Sequence, residues 1–341
     1  MTHHTRLQAD NGRQRTIKEG AASNLFFIEP MMALRAGDLP VGNWIYELKF
    51  DGYRALVFKA DKDVRLVSRN RTNFNNDYPE LVDSLRLLTA NKVTIDGEIT
   101  ALDENGKSSF QLLQSYGIDK QIPLIYQAFD LLFLDGTDVR SRPLIERRKL
   151  LVKLLKKAPD NIRFSEELRG EREELLQVAR QFRLEGLMAK RPDSPYESGR
   201  RSGAWIKVKL TQQQEFIIGG YTPPEGSRKY FGSLLVGYHG PVGLLFAGRV
   251  GTGFSEKLLR SIYDILQKIR RPACPFANLP EKRRGRWGQG ITPAIMKRCH
   301  WVEPVLVAQV KFTEWTSDDQ LRQPVFLGLR TDKPATEVIR E

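Results

Sequence analysis

Short apolar runs, broken at several points by Asp-Gly or Asn-Gly pairs, restrict this chain to a fold with many β-strands. The runs are rich in Val, Ile, Leu and aromatic residues, which are favoured in packed sheets. The first set covers Trp44–Phe50, Tyr53–Ala60, Val64–Ser68, Lys92–Leu102 and Pro123–Leu134. Helix-like segments alternate with these runs at Pro79–Leu88, Leu144–Lys157 and Glu171–Phe182. Residues 25–210 therefore predict a mixed α/β domain of the α+β kind.

The segment after residue 210 has shorter runs separated by turns rich in Gly and Pro. A helical pattern at Phe254–Ile269 follows the third run. A basic loop at 281–287 lies between this helix and the fourth run. Five strands with one helix after the third predict an OB-fold β-barrel over residues 211–341, a fold often used on nucleic acid. The expected strands are Glu215–Tyr221, Ser233–His239, Gly243–Val250, Val302–Phe312 and Val325–Leu329.

Several protein classes are disfavoured by composition. Residues 1–24 are polar and aperiodic, so we expect a flexible basic arm and no secretory signal. No run approaches the roughly 20 apolar residues that span a bilayer. Cys274 and Cys299 are too few for a disulfide framework or a four-cysteine zinc site. We therefore expect a cytoplasmic protein, kept in a reducing compartment.

The charge balance leaves two interpretations open. The chain has 54 Lys and Arg residues against 41 Asp and Glu residues, a net charge of +13. Such a surplus favours a polyanionic partner, because each cation that neutralises a phosphate releases counterions. It is equally consistent with a basic surface that only contacts water.

The segment Glu47-Leu-Lys49-Phe-Asp51-Gly-Tyr-Arg54 is the most informative one. Lys49 ends an apolar strand and is followed at once by an Asp-Gly turn. A lysine that is partly desolvated and close to other cations can lose its proton and act as a nucleophile. The alternative is an ordinary strand whose lysine extends to water.

Further motifs follow Lys49 in a fixed order, and they extend over most of the chain. They are Ser68-Arg69-Asn70, Asp96-Gly-Glu98, Tyr126-Gln-Ala-Phe129-Asp-Leu-Leu, Glu185-Gly-Leu-Met-Ala-Lys190, Trp205-Ile-Lys207-Val-Lys209 and Arg330-Thr-Asp332-Lys333. This set resembles the nucleotidyltransferase motifs shared by ATP-dependent DNA ligases, RNA ligases and mRNA capping enzymes.

The closer resemblance is to the ligase module of bacterial non-homologous end-joining DNA ligases of the LigD type. Four strings carry it: YELKFDGYR, GRRSGAWIKVK, FTEWT and LRQPVFLGLR. The resemblance implies an adenylation (nucleotidyltransferase) domain followed by the OB-fold domain. Since 341 residues leave no room for polymerase or phosphoesterase domains, we expect a stand-alone ligase.

The resemblance also implies a reaction. Lys49 attacks the α-phosphate of ATP and becomes a lysyl–AMP, AMP moves to a DNA 5′-phosphate, and the 3′-hydroxyl displaces it. Glu98, placed at a glycine-containing turn, is expected on the ribose hydroxyls and, with Glu185, on Mg²⁺ or Mn²⁺. Phe129 is expected to stack on adenine and Glu47 to reach its amino group. Alternatively, Glu98 is a turn carboxylate in water, Phe129 packs in the core and Glu47 is a surface acid.

Basic residues complete the set that the resemblance assigns to nucleotide or DNA. Lys207 and Lys209 share one strand face and would contact the α-phosphate, and their charge would depress the pKa of Lys49. The matched arginines, expected on nucleotide or on the 5′-phosphate at a nick, are Arg54, Arg69 and Arg201. Each is alternatively a structural ion pair. The last motif, with Arg330, Asp332 and Lys333, would face the triphosphate only when the OB domain closes over the site.

The expected partner is nicked or broken duplex DNA, bound by a monomer. The family analogy also points to the end-bridging protein Ku, although no residue here indicates a Ku contact. An RNA ligase, or a capping enzyme that uses GTP, is the alternative within the superfamily. A non-catalytic DNA-binding protein on a ligase fold is the alternative outside it. That protein would be expected to lack Lys49, Glu98 or Lys207, and all three are present.

Overall fold

A computed structural model describes residues 26–117, 119–280 and 290–340 of the chain. The predicted arm at 1–24 and basic loop at 281–287 lie outside these ranges. No helix within them is long and apolar enough to cross a membrane.

Within residues 26–117 and 119–210, the first domain has two sheets and four α-helices. Its helices are α1 (Pro79–Arg86), α2 (Phe110–Ser115), α3 (Leu144–Leu155) and α4 (Arg172–Gln181). Its strands are β1 (Leu34–Ala36), β2 (Ile45–Lys49), β3 (Tyr53–Ala60), β4 (Asp63–Ser68), β5 (Lys92–Ala101), β6 (Leu124–Leu134), β7 (Thr137–Asp138), β8 (Ile162–Phe164), β9 (Gly186–Lys190) and β10 (Trp205–Lys209). The larger sheet has the order β4-β3-β5-β6-β7, with β8 paired to β6, and the smaller has the order β1-β10-β9-β2.

A helix could be predicted from the sequence where it is long enough to show a buried apolar face. In α1, Leu81, Val82 and Leu85 form one buried face, and Pro79 occupies the first turn, where no backbone N–H is needed. Helix α2 was not predicted because its six residues are too few to display a helical period. It is fixed instead by Ser109, whose side chain accepts a hydrogen bond from the Leu112 N–H.

The turn expected around Glu98 is absent, and this expectation was wrong. Residues 96–98 continue β5 without a break, and the register with β6 shifts there by a β-bulge. Gly97 is required by packing, because a Cβ at this position would lie 2.4 Å from the Tyr126 ring. The glycine thus marks a close approach of β6, a role that glycine often has inside strands.

The second domain is a curled sheet of the OB type, as the pattern predicted. Its helices are α5 (Glu256–Lys268) and α6 (Pro293–Met296). Its strands are β11 (Gln213–Tyr221), β12 (Leu234–Gly240), β13 (Gly243–Val250), β14 (Arg270–Arg271), β15 (His300–Lys311) and β16 (Val325–Leu329). The strand order is β13-β12-β11-β15-β14, with β16 paired to β15, and a parallel bridge between Thr252 and Val325 joins the ends of the curl. The short β14 and α6 were not predicted.

Candidate active site

The small sheet β1-β10-β9-β2 sets the positions of the lysines. In one row across it, Lys49 and Lys209 flank Gly186, and in the next row Glu47 and Lys207 flank Met188. Side chains two residues apart in a strand point to the same face. The register therefore brings Lys49, Lys207, Lys209 and Glu47 to one surface, as the spacing predicted.

That surface forms the floor of a cavity of about 550 Å³. Its size lies in the range of small-molecule sites. Every residue that the sequence assigned to the site lines this cavity: Glu47, Lys49, Arg54, Arg69, Glu98, Phe129, Glu185, Arg201, Lys207, Lys209, Arg330, Asp332 and Lys333. Residues separated by more than 280 positions are thus brought together, whereas the role of each one stays a prediction.

The amine of Lys49 is bound by the Glu185 carboxylate at the end of the small sheet. Burial acts to lower the pKa of Lys49, but the carboxylates of Glu185 and Glu98 outweigh it, and the pKa is raised. The expected depression of this pKa by Lys207 and Lys209 is therefore wrong for this arrangement. Loss of the Glu185 contact would remove the largest of the effects that raise this pKa, and would shift Lys49 towards the neutral, nucleophilic amine.

The other carboxylates near Lys49 are also strongly perturbed. Burial raises the pKa of Glu98 to about 7, opposed by the nearby Lys49 amine. Burial likewise raises the pKa of Asp51 to about 6, and the Glu185 charge adds to this rise. The carboxylates of Asp51, Glu98 and Glu185 thus all act on the Lys49 amine.

The residues present fit a divalent metal. Glu185 Oε2 is buried and has no hydrogen-bond partner, so it retains the capacity to bind a cation. In the described part of the chain, no group of three or more His, Cys, Asp or Glu residues could hold a metal by itself. Glu185 and Glu98 would therefore share the ion with phosphate oxygens and water, which is how Mg²⁺ is commonly bound.

At the opposite end of the floor, the Glu47 carboxylate is fully enclosed. It pairs with Arg148, lies 2.9 Å from the Lys190 amine and accepts a 2.8 Å hydrogen bond from Ser165. The sequence predicted a contact with adenine for Glu47, whereas its carboxylate holds two buried cations. Arg148 was missed because it lies on α3, about 100 residues from its partner.

An aromatic wall adjoins this buried pair. Phe129 is 9% exposed and packs edge-to-face against Trp205, with ring centroids 5.9 Å apart. The Lys190 amine lies 4.5 Å from the Phe129 ring and 4.6 Å from the Trp205 ring. Phe129 is thus a core residue, which was its alternative interpretation, and it also lines the cavity, whereas its stacking on adenine stays a prediction.

The three arginines have different environments. Arg54 is committed to the protein, because it forms a two-pronged pair with Asp96 at 3.0 and 2.6 Å and donates to the Met31 carbonyl. Arg69 lies 3.4 Å from Glu337 of the second domain. Arg201 is exposed at the cavity rim. The structure thus gives Arg54 the structural ion pair that was its alternative interpretation.

The second domain closes the cavity from the other side. Arg330 is held by Asp332 through two 2.8 Å hydrogen bonds, and Glu215 lies 3.3 Å from the Lys333 amine. Glu215 was not predicted as a site residue, because it belongs to no recognisable motif that could have revealed it. Arg35 was also missed. It lies on the edge strand β1, where it is the register partner of Lys207 on β10. Because Arg330, Asp332 and Lys333 line the same cavity as Lys49, the second domain is in the closed arrangement.

Comparison with known proteins identifies the family. The family model of the ATP dependent DNA ligase domain matches residues 30–209, and that of the ATP dependent DNA ligase C terminal region matches residues 227–333. The chain therefore belongs to the ATP-dependent DNA ligases. This confirms the resemblance that its motifs carry.

Particular relatives narrow the resemblance. The chain is 39% identical over 317 residues to the multifunctional non-homologous end joining protein LigD of Mycobacterium bovis, covering 92% of this chain and 40% of that protein. It is 38% identical to LigD of Pseudomonas aeruginosa, covering 92% and 37%. A solved mycobacterial DNA ligase D complexed with ATP and MES is 36% identical with a TM-score of 0.69, covering 95% of this chain and all of that one. The chain thus spans about two fifths of these curated relatives.

Proposed function

We propose that this chain seals breaks between a 5′-phosphate and a 3′-hydroxyl in duplex DNA, through a covalent AMP adduct on Lys49. The observation that carries the proposal is the cavity that joins Lys49, two further lysines and two buried carboxylates beneath the last motif of the second domain. Such a site concentrates positive charge where a triphosphate would bind. Phosphoryl transfer depends mainly on positioning and on neutralising charge.

In the first step, the Lys49 amine attacks the α-phosphorus of ATP. A phosphorus–nitrogen bond forms, the bond to the β-phosphate oxygen breaks, and pyrophosphate leaves with the electron pair. Lys207 and Lys209 lie in adjacent rows of the same face and would neutralise the charge on the α-phosphate. Arg330 and Lys333 line the same cavity from the second domain and would orient the departing pyrophosphate.

Lys49 must be neutral before it attacks, so its proton has to leave. Glu185 contacts the amine directly and is the nearest group that controls this proton. A divalent metal held by Glu185 and Glu98 would supply charge neutralisation at the phosphates. With Glu185 engaged elsewhere, burial lowers the affinity of Lys49 for its proton.

In the later steps, an oxygen of the DNA 5′-phosphate attacks the AMP phosphorus and releases the lysine. The 3′-hydroxyl then attacks the 5′-phosphorus, and AMP leaves as the strand is joined. The test is incubation with α-labelled ATP and Mg²⁺ or Mn²⁺, followed by a nicked duplex. We expect label on the protein that then chases through adenylated DNA into free AMP while the nick is sealed. Labelling by GTP, or transfer of AMP to RNA ends alone, would contradict the proposal.

We further propose that the ligase acts in end joining in the bacterial cytoplasm, with an end-bridging protein such as Ku. The similarity to proteins named for non-homologous end joining supports this. The experiment is joining of blunt linear duplexes with and without purified Ku, compared with nick sealing by the same protein. Stimulation of blunt-end joining alone is expected. Equal effects on both substrates would remove the support for a bridging partner.

A further inference from the structure

Outside the cavity, helix α2 of the first domain packs against strand β16 of the second. We call this the α2–β16 contact. It consists of Tyr53 and Gln114 from the first domain and Gly328 and Leu329 from the second. The Gln114 amide donates to the Tyr53 hydroxyl at 2.5 Å and accepts from the Leu329 N–H at 3.1 Å. The Tyr53 hydroxyl donates to the Leu329 carbonyl at 2.8 Å. Three hydrogen bonds therefore join Gln114, Tyr53 and Leu329 in a closed ring.

This ring ties up both backbone groups of Leu329 on the side of β16 that faces the first domain. The next residue along the chain is Arg330, the first residue of the motif that covers the cavity. The Arg330 guanidinium lies 5.4 Å from the Tyr53 ring and 5.2 Å from the Phe110 ring. The position of Arg330 over the cavity is thus set directly beside the α2–β16 contact.

Gly328 makes the close approach possible. A Cβ built on it would lie 2.1, 2.6 and 2.9 Å from three atoms of Gln114, and these are its three nearest neighbours. Its backbone is not in the left-handed region, so an alanine would be tolerated by β16 itself. The steric demand at Gly328 therefore comes from the other domain and from one side chain.

We propose that Gln114 and Gly328 are positioning residues for the adenylylation of Lys49, which act by holding the second domain closed so that Arg330 and Lys333 reach the cavity. The inference rests on the proposed function and adds the residues that control one of its steps. Strand sealing needs the opposite arrangement. The second domain covers Lys49, so it has to move away before a duplex can reach this residue.

The test separates the two steps with two single variants, their double variant and one control. Gly328→Ala introduces a methyl group that only the closed arrangement excludes, so the closed fraction falls. We expect AMP labelling from α-labelled ATP to fall about tenfold or more. Sealing of a nick that already has a 5′-adenylate, measured without ATP on protein stripped of AMP with pyrophosphate, should stay within about twofold. Gly251→Ala is the matched control in the same domain, because its Cβ would meet nothing nearer than 3.8 Å.

The double variant gives the sharper readout. Gln114→Ala alone removes two hydrogen bonds of the ring and should lower labelling severalfold. In the Gly328→Ala background it removes the atoms that the new methyl group meets, so it should raise labelling above that of Gly328→Ala alone. A general loss of stability cannot reverse the sign of one substitution in this way.

Equal loss of labelling and of sealing in Gly328→Ala would overturn the inference, since the substitution would then be a folding defect. Labelling at the wild-type rate, or a double variant no better than Gly328→Ala, would overturn it as well. Failure of the wild-type protein to label with ATP would instead contradict the proposed function itself. The failures of the two proposals are therefore distinguishable.

Discussion

Glu47 and Glu185 lie at opposite ends of the same cavity floor, and their surroundings differ in one respect. Both are buried, with 1% and 9% of their surface exposed. Glu47 is bound by Arg148, Lys190 and Ser165, whereas Glu185 binds Lys49 through one oxygen and leaves the other without a partner. Burying an unpartnered polar atom is costly, and native structures keep few of them. The satisfied carboxylate of Glu47 is therefore expected to contribute to stability, whereas Glu185 retains an oxygen that can still bind a ligand.

The largest effect is expected at the end of the floor where Glu185 contacts Lys49. Lys49→Ala should reduce AMP labelling below detection, because the attacking nitrogen is removed. Lys49→Arg is the matched variant, since it keeps a cation beside Glu185 without an effective nucleophile. Both should retain the far-ultraviolet circular dichroism of the wild type. A Lys49→Ala protein that still takes up label from ATP would place the nucleophile elsewhere.

The comparison itself is tested by removing one charge at each end. Glu47→Gln leaves Arg148 and Lys190 buried without their counter-charge, which costs about 3–5 kcal/mol of unfolding free energy. Glu185→Gln removes a carboxylate that is only partly satisfied and should cost at most about 1 kcal/mol. Urea unfolding followed by fluorescence measures both, and AMP labelling should fall in both.

Losses of stability that are equal within error would show that burial alone, and not polar satisfaction, separates the two ends. A matched control is Glu303→Gln on the rim of the second domain, where the ion pair with Arg271 is half exposed and weak.

Glu215 tests whether a buried carboxylate with paired oxygens stabilises the second domain as Glu47 is expected to stabilise the first. Arg330, Lys333 and Lys209 overcome the effect of burial and lower the pKa of Glu215 to about 2 from an ordinary value of 4.5. Because the folded pKa is depressed, its contribution is fully present above about pH 4.5 and is lost as the pH falls towards 2. The shift corresponds to about 3 kcal/mol at neutral pH. Glu215→Gln should therefore be less stable than wild type at pH 7, and the difference should shrink by pH 3.5. A difference that does not change with pH would assign the loss to packing.

The sequence predicted the residues on the floor of the cavity better than the residues that pair with them. The register of Lys49, Lys207 and Lys209 followed from alternation within strands and from the ordered motifs, and β3, β13 and β16 begin and end where the pattern placed them. Local patterns could not reveal Arg148 or Glu215, because each is defined by partners distant in the chain. They also could not give the pKa of Lys49, which depends on the direction in which Glu185 points.

Elements without a period were missed for a related reason. The strand β1 has three residues and α2 has six, so neither shows a repeat, yet β1 brings Arg35 beside Lys207 and α2 brings Gln114 to the second domain. The bulge at Gly97 was mistaken for a turn because a glycine inside a strand and a glycine in a turn look alike in sequence.

The smallest effect is expected at the exposed rim of the cavity, away from the buried carboxylates Glu47 and Glu185. Arg201 is exposed beside the cavity, in contrast with Arg54, whose guanidinium is held by Asp96. Arg201→Ala should leave unfolding unchanged and weaken binding of a nicked duplex. If Arg201 contacts one phosphate, the slope of log affinity against log salt should fall by about 0.9. Arg180→Ala on α4 removes the same charge from an exposed position that does not line the cavity, so it should leave the slope unchanged. Equal changes of slope in the two variants would mean that Arg201 acts only through the net charge of +13.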